Sequence, residues 1–302
     1  MTLNLRQLEV VRAVGRYGSV TGAANALGIS QPAVSMMLRE ARMNAGFPLF
    51  ARKHGRLHPT SETNVIMADL DRLFDGIDRI NRLVSEMRDV NIGTIQISAT
   101  PTLAENLLPR AVLQLQKLRP NIQITIQTMN NNDVVSSVVE EQVDLGLTLS
   151  PLGHVEARSI KLCEVDLICV VNRENPLAGR RTVALRDLAP YPLISFSRNL
   201  PLGQLVEQVF QKAGLRRRIA FEVNQSSTAC ALVQAGVGVA IIDAFWLLDQ
   251  RAPELSRMTL VPRTKVAALA LVPKNAPLSR PARLLLQALE SVAHDLSRKR
   301  KV

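Results

Sequence analysis

The chain has 302 residues, 47% of them hydrophobic, and carries a formal net charge of +11. Such a length holds enough apolar material for about two domains, and the positive balance argues against an enzyme for neutral metabolites and for a partner rich in phosphate. Three cysteines (Cys163, Cys169, Cys230) without a Cys-x-x-Cys pair exclude a disulfide framework, and no uninterrupted apolar run reaches the ~18 residues of a membrane span.

The opening Met-Thr-Leu-Asn-Leu-Arg-Gln-Leu lacks a signal-peptide core, so a cytoplasmic protein with no membrane partner is expected. Leu5, Leu8, Val11 and Val14 recur three apart and predict a first helix over 4–17. A second short helix follows over 21–27, starting at Thr21. Gly28 then supplies the positive φ of a tight turn, Ser30 is a good N-cap, and Pro32 fits the first turn of a third helix. Ala24, Gly28 and Val34 fall where two helices approach closely. Gln31, Ser35 and Arg39 project from the third helix and are side-chain types that reach base edges and phosphates. Residues 47–60 read as a small β-wing, with Arg52, Lys53 and Arg56 placed for the DNA backbone or minor groove. Residues 1–64 hold eight basic residues against three acidic ones, in keeping with that reading.

From residue 61 a long helix begins. Ile66, Leu70, Leu73, Ile77, Ile80, Val84 and Met87 are spaced 4, 3, 4, 3, 4, 3 and form a heptad seam. A second copy of the same helix is the simplest cover for it, and a dimer suits two half-sites of a palindrome. The helix stops at Asn91-Ile92-Gly93. Thereafter buried strands (94–99, 122–129, 144–149, 166–171, 193–196, 219–223, 236–243, 267–272) alternate with helices (107–119, 134–142, 205–213, 228–235, 280–297), which predicts parallel sheets in an α/β fold. About 210 such residues is large for one sheet, so two subdomains are expected, with ligands at the carboxyl ends of strands. The terminal Arg298-Lys299-Arg300-Lys301 reads as a solvated tail. The four histidines show no metal spacing, and Gly236-Val237-Gly238 lacks the third glycine of a dinucleotide loop and precedes a strand. Neither metal nor cofactor is expected.

Taken together, Leu5-Arg6-Gln7-Leu8, Ser19-Val20-Thr21-Gly22-Ala23-Ala24, Ser30-Gln31-Pro32-Ala33-Val34-Ser35, Leu49-Phe50-Ala51-Arg52, Asp144-Leu145-Gly146-Leu147 and Ala235-Gly236-Val237-Gly238-Val239 resemble the LysR-type transcriptional regulators over essentially the whole chain. Gly55-Arg56-Leu57-His58-Pro59-Thr60, and Phe210 with Arg217-Arg218, look closer still to the branch of the lysine-biosynthesis activator and the opine-catabolism regulators. The resemblance implies an α+β organisation in three parts: a winged helix-turn-helix over 1–60, a coiled-coil linker and dimerisation helix over 61–92, and a two-lobed, periplasmic-binding-protein-like α/β effector domain over 93–302. Lobe 1 would comprise 93–165 and 268–302, and lobe 2 would comprise 166–267. The implied partners are double-stranded DNA, a small-molecule effector, RNA polymerase and further copies of the chain, as a dimer or a dimer of dimers.

Met36 departs from the family, which commonly has arginine directly after the serine at position 35. The effector is expected between the lobes, near Thr100, Thr102, Asn131 and Thr148 from lobe 1 and Ser195, Ser197, Arg198, Asn224 and Ser226 from lobe 2. Arg198 has the fork to pair with a carboxylate, while capping is the plain alternative for the hydroxyls at helix starts. Amino acids, opines and small carboxylates are the expected effector class. Three other readings compete. An enzyme would need a catalytic constellation, a pure solute-binding protein would need a signal peptide and no residues 1–90, and an architectural DNA-binding protein would need no ligand-sized α/β domain.

Overall fold

The computed structural model describes residues 2–88, 93–150, 152–153, 156–246, 253–274 and 277–299, and divides the chain into two units, Met1–Val84 and Ser85–Val302. In the first unit every helix starts at a capping side chain. Asn4 opens α1 (Leu5–Tyr17) in a capping box with Gln7, Ser19 opens α2 (Val20–Leu27), and Ser30 opens α3 (Gln31–Ala45). Thr60 accepts from the Thr63 amide at the start of α4 (Ser61–Arg88). Each cap contributes about 1 kcal/mol by satisfying an amide that the helix leaves free. Gly28 takes φ +65°, so the α2–α3 turn closes without strain. Val10, Val14, Ala23, Ala24 and Val34 then pack as one core.

Between α3 and α4 lies a two-stranded hairpin, β1 (Phe50–Lys53) and β2 (Arg56–Pro59). Its turn residues His54 and Gly55 have φ +50° and +79°, the pair of positive values that a two-residue hairpin requires. The Leu57 amide donates to the Gly18 carbonyl at 2.8 Å and fixes the wing to the end of α1.

The heptad seam of α4 divides in two. Thr63, Leu70 and Phe74 are buried, and Leu70 packs with Val11, Ala41 and Leu49 of its own chain. Leu70 is therefore a core residue of this unit and not part of an outward seam. Arg12 pins the contact, with Nε 2.6 Å from Asp71 and Nη2 3.2 Å from Asp75. The outward stripe retains Leu73 (42% exposed), Ile80 (61%) and Val84 (46%), with Ile66 and Ile77 partly covered. The side chain of Met87 and residues 89–92 lie outside what is described.

The second unit begins with β3 (Gly93–Ala99), α5 (Pro101–Asn106), α6 (Leu108–Leu118), β4 (Ile122–Thr128), α7 (Asn131–Val139), β5 (Leu145–Leu149) and β6 (Ala157–Asn172). It continues through β7 (Thr182–Ala184), a 3-10 turn (Leu185–Leu188), β8 (Leu193–Phe196), α8 (Pro201–Lys212), β9 (Ile219–Val223), α9 (Ser226–Gln234) and β10 (Val239–Asp243). It ends with β11 (Leu255–Val261), β12 (Lys265–Pro273) and α10 (Arg280–Lys299). The strands run in the order β4-β3-β5-β12-β6-β10-β8-β9, with β11 on β6 and β7. This is the expected α/β architecture in two lobes, with one correction. Strands β3, β4 and β5 are mutually parallel, as are β8, β9 and β10, but β12 and β6 run antiparallel to their neighbours. A strand that carries the chain from one lobe to the other, and one that brings it back, need no helical crossover, so antiparallel pairing is open to them. Strand β6 is also longer than its apolar half, 166–171, predicts: its first residues pair with β12 and its last with β10 and β11.

Candidate functional site

The surface of the first unit carries the residues singled out on α2, α3 and the wing. Thr21, Gln31 and Arg39 are exposed and Ser35 is half-buried. Ser30 has a structural task as well, accepting from the Ala33 amide at 3.4 Å, and Pro32 sits in the first turn of α3. Met36 is 55% exposed, so an apolar side chain stands in solvent on the same helix. Arg52, Lys53 and Arg56 flank the hairpin turn and are exposed. Among the described residues no carboxylate pairs with these three cations or with Arg39. A row of unpaired cations beside exposed amide and hydroxyl groups is the chemistry that binds phosphate and reads base edges.

In the second unit a cavity of about 390 Å³ lies between the two halves of the sheet. Thr100, Thr102 and Asn131 line it from one side and Asn224 and Ser226 from the other. These five of the nine expected effector residues come together because each follows the carboxyl end of a strand and begins a helix. The first turns of α5, α8 and α9 have no side-chain cap, although Pro101 and Pro201 carry no amide hydrogen and the Leu103 amide donates to the Thr100 carbonyl at 3.0 Å. On α7, Asn130 takes the cap, accepting from the Asp133 amide at 3.0 Å. The Thr100 hydroxyl is buried and has no partner, whereas Asn131 Nδ2 donates to the Leu149 carbonyl at 2.7 Å. Size, partial burial and convergent polar groups are those of a small-ligand site.

Four expected residues lie elsewhere. Thr148 and Ser195 are fully buried in β5 and β8, behind the lining. Ser197 lies outside the lining and accepts from the Asn199 amide. Arg198 is exposed, and both arms of its fork are held by Glu207, with Nε 3.2 Å and Nη2 3.4 Å from the carboxylate. It therefore does not stand in the cavity as a free carboxylate clamp.

Sequence reasoning passed over Asp243, the last residue of β10. It lines the cavity and is fully buried. Its Oδ2 accepts from Ser226 Oγ at 2.8 Å, and its Oδ1 accepts from the Phe245 amide at 3.1 Å. Burial raises its carboxyl above the ordinary range, and the hydrogen bonds from Ser226 and the Phe245 amide act in the opposite direction. An acid ending the run Val-Ala-Ile-Ile is the same strand-end signal that pointed to Thr100. Among the described residues no group of His, Cys, Asp and Glu is arranged to hold a metal, and no helix is long and apolar enough to cross a membrane.

Comparison with known proteins decides the lineage. Residues 5–63 match the family of bacterial regulatory helix-turn-helix proteins of the lysR type, and residues 88–293 match the LysR substrate binding domain. The chain belongs to the LysR family. It is similar to the transcriptional activator protein LysR of Escherichia coli K12, 30% identical over 286 residues that span 95% of this chain and 91% of that one. It is also similar to OccR of Rhizobium meliloti, the octopine catabolism/uptake operon regulatory protein, at 29% identity over 80% of either chain. The crystal structure of full-length CbnR complexed with its target DNA shares the fold, with a TM-score of 0.76, 21% identity, and coverage of 96% of this chain and 99% of that one. As a LysR-family protein the chain is a DNA-binding transcriptional regulator with an effector-binding domain, and its relatives are regulators rather than enzymes.

Proposed function

We propose that this LysR-family regulator binds a palindromic promoter site as a homodimer, or a dimer of dimers, and that a small effector in the cavity changes transcription. Gln31, Ser35 and Arg39 on α3 would contact base edges and phosphates, assisted by Thr21 at the start of α2. Arg52, Lys53 and Arg56 would grip the backbone or minor groove. The outward stripe of Leu73, Ile77, Ile80 and Val84 supports pairing of α4 with a second copy, since a helix in water does not keep such a stripe uncovered. RNA polymerase is the expected partner of the DNA-bound assembly, and the cytoplasm its compartment.

The observation that carries the effector reading is the cavity itself: uncapped helix starts and an unpartnered buried Thr100 hydroxyl converge on a space of about 390 Å³. These donors suit a carboxylate, so amino acids, opines and other small carboxylates are the effector class proposed. Occupancy would shift the balance between two assembly geometries, by no more than the effector's difference in affinity for them. The test is a thermal-shift screen of the full chain against that class, together with footprinting on a palindromic site. Thr102→Ala is expected to abolish the ligand response and leave DNA binding intact. Loss of both together would remove the cavity from the account.

A further inference from the structure

The cavity has an acid and no base. Asp243 is the one carboxylate among its lining residues, which include no Lys, Arg or His. Among the described residues no cation pairs with Asp243. Protein folds avoid this arrangement, because a buried carboxylate without a counter-charge loses several kcal/mol of hydration. Where one stands in the wall of a ligand cavity, the counter-charge can arrive with the ligand. The hydrogen bonds Asp243 accepts come from the Ser226 hydroxyl and from backbone amides, including that of Phe245, and none of them brings a counter-charge. The opposite side holds a buried hydroxyl, that of Thr100, with no partner of its own. The cavity thus offers a carboxylate for a cation on one side and an unsatisfied hydroxyl on the other.

We infer that the effector carries a protonated amine that docks on Asp243 while its carboxylate meets the Thr100 side. The cavity would then select amino acids and N-substituted amino acids over simple carboxylates. This inference rests on the reading of the cavity as the effector site. Ser226 acts as a positioning residue, since its hydroxyl fixes Oδ2 of the acid.

Matched pairs of ligands test it on the full-length protein by calorimetric titration: L- and D-glutamate against glutarate, L- and D-leucine against 4-methylpentanoate, and L- and D-lysine against hexanoate. At least one amine-bearing member is expected to bind, its amine-free partner about 100-fold more weakly, and Asp243→Asn is expected to lose a similar factor. Equal binding of both members of a pair, or an unchanged affinity in a folded Asp243→Asn variant, overturns the inference and leaves the effector site in place. Binding insensitive to both Asp243→Asn and Thr102→Ala overturns the site reading instead. Silence from every pair overturns the amine requirement as stated. If Asp243→Asn fails to fold, the pairs measured on the unsubstituted chain still decide.

Discussion

In the function proposed, the α2–α3 and wing surface and the cavity of the second unit both meet anionic groups, and they are built from opposite materials. The surface presents Arg39, Arg52, Lys53 and Arg56 in water, with no carboxylate paired to them among the described residues. Cations in water cost nothing to hold, and they attract phosphate through counterion release, an effect that falls with salt. The described residues that line the cavity include no cation. The cavity offers buried hydroxyls, uncapped helix starts and one carboxylate. Dipoles and hydroxyls select by geometry, and a buried acid selects against any ligand that brings no counter-charge. Affinity for a long polyanion and discrimination among small molecules call for these different solutions.

The largest effect that separates the two regions is expected from Gly203→Ala. A Cβ at Gly203 would lie 1.9 Å from the Ser197 carbonyl oxygen and 2.9 Å from that of Phe196, both backbone atoms that cannot swing away. The neighbouring Phe196, Leu200, Pro201 and Leu202 line the cavity. The variant is expected to lose about 2–4 kcal/mol of stability and the ligand response with it. Circular dichroism melts and a ligand titration check this; a wild-type melt would mean that the α8 packing is looser than its geometry.

Next in size is the contrast between Gln31→Ala and Arg52→Ala. If α3 reads bases, Gln31→Ala costs about 1–3 kcal/mol on the specific site and little on random duplex. If the wing holds the backbone, Arg52→Ala weakens binding to every sequence alike and lowers the salt slope by about 1. Titrations over a salt series with specific and scrambled duplexes distinguish them. Identical profiles for the two variants would erase the division of labour between helix and wing.

Smaller, but specific to the cavity, is a pH effect. The folded-state pKa of Asp243 is raised by burial above its unfolded value, so the folded protein holds this proton more firmly than the unfolded chain does. The associated stability is therefore complete below the unfolded value of about 4 and declines as pH rises through the folded value. The thiol of Cys230 is pushed up to about 12 by burial, and secondarily by the Asp243 charge, and stays neutral over this range. Asp243→Asn is expected to flatten the fall in melting temperature with rising pH in the ligand-free protein. Parallel pH curves for the two proteins would show that the carboxyl does not titrate there.

The sequence was most readable where structure is made by neighbours in the chain. Ser19, Ser30, Gly28 and the His54-Gly55 turn act within a few residues of themselves, and the helix-turn-helix and wing follow from them. The second unit was read correctly in its apolar strands and less well at its helix starts. Apolar periodicity places helices from Val134, Leu205 and Thr228, whereas they begin at Asn131, Pro201 and Ser226; the helix expected from Leu107 is α6, which begins at Leu108, and the short α5 ahead of it has no apolar signal of its own. The displacement is in one direction for a physical reason: the first turns line a polar cavity, so they lack the apolar stripe that marks the rest of each helix. Strand β11 is hidden because the adjacent polar Ser256 and Arg257 break both the apolar run and the alternation that mark a strand, and the first half of β6 because it carries Arg158, Lys161 and Glu164. Leu70 shared a heptad with Leu73 and Ile77, and spacing alone does not say which stripe the same chain's α1 and α3 will cover.

The smallest expected effect belongs to Arg198→Ala, and it is sharp because residue type alone favours a large one. A guanidinium at a strand end is an obvious clamp for a carboxylate. Here Glu207, nine residues on and in the second turn of α8, already occupies the fork, and the Arg198 side chain is 67% exposed. An exposed pair of this kind contributes about 0–1 kcal/mol. Glu207 would not be left without a partner, because the buried Arg217 also holds it, with Nε 3.0 Å from its carboxylate. Removing Arg198 therefore exposes no uncompensated charge. Affinity for an amine-bearing ligand is expected to stay within about twofold, set beside the roughly 100-fold loss expected at Asp243. A large loss at Arg198 instead would mean that it leaves Glu207 when ligand binds, and the cavity would then have the cation that its present lining lacks.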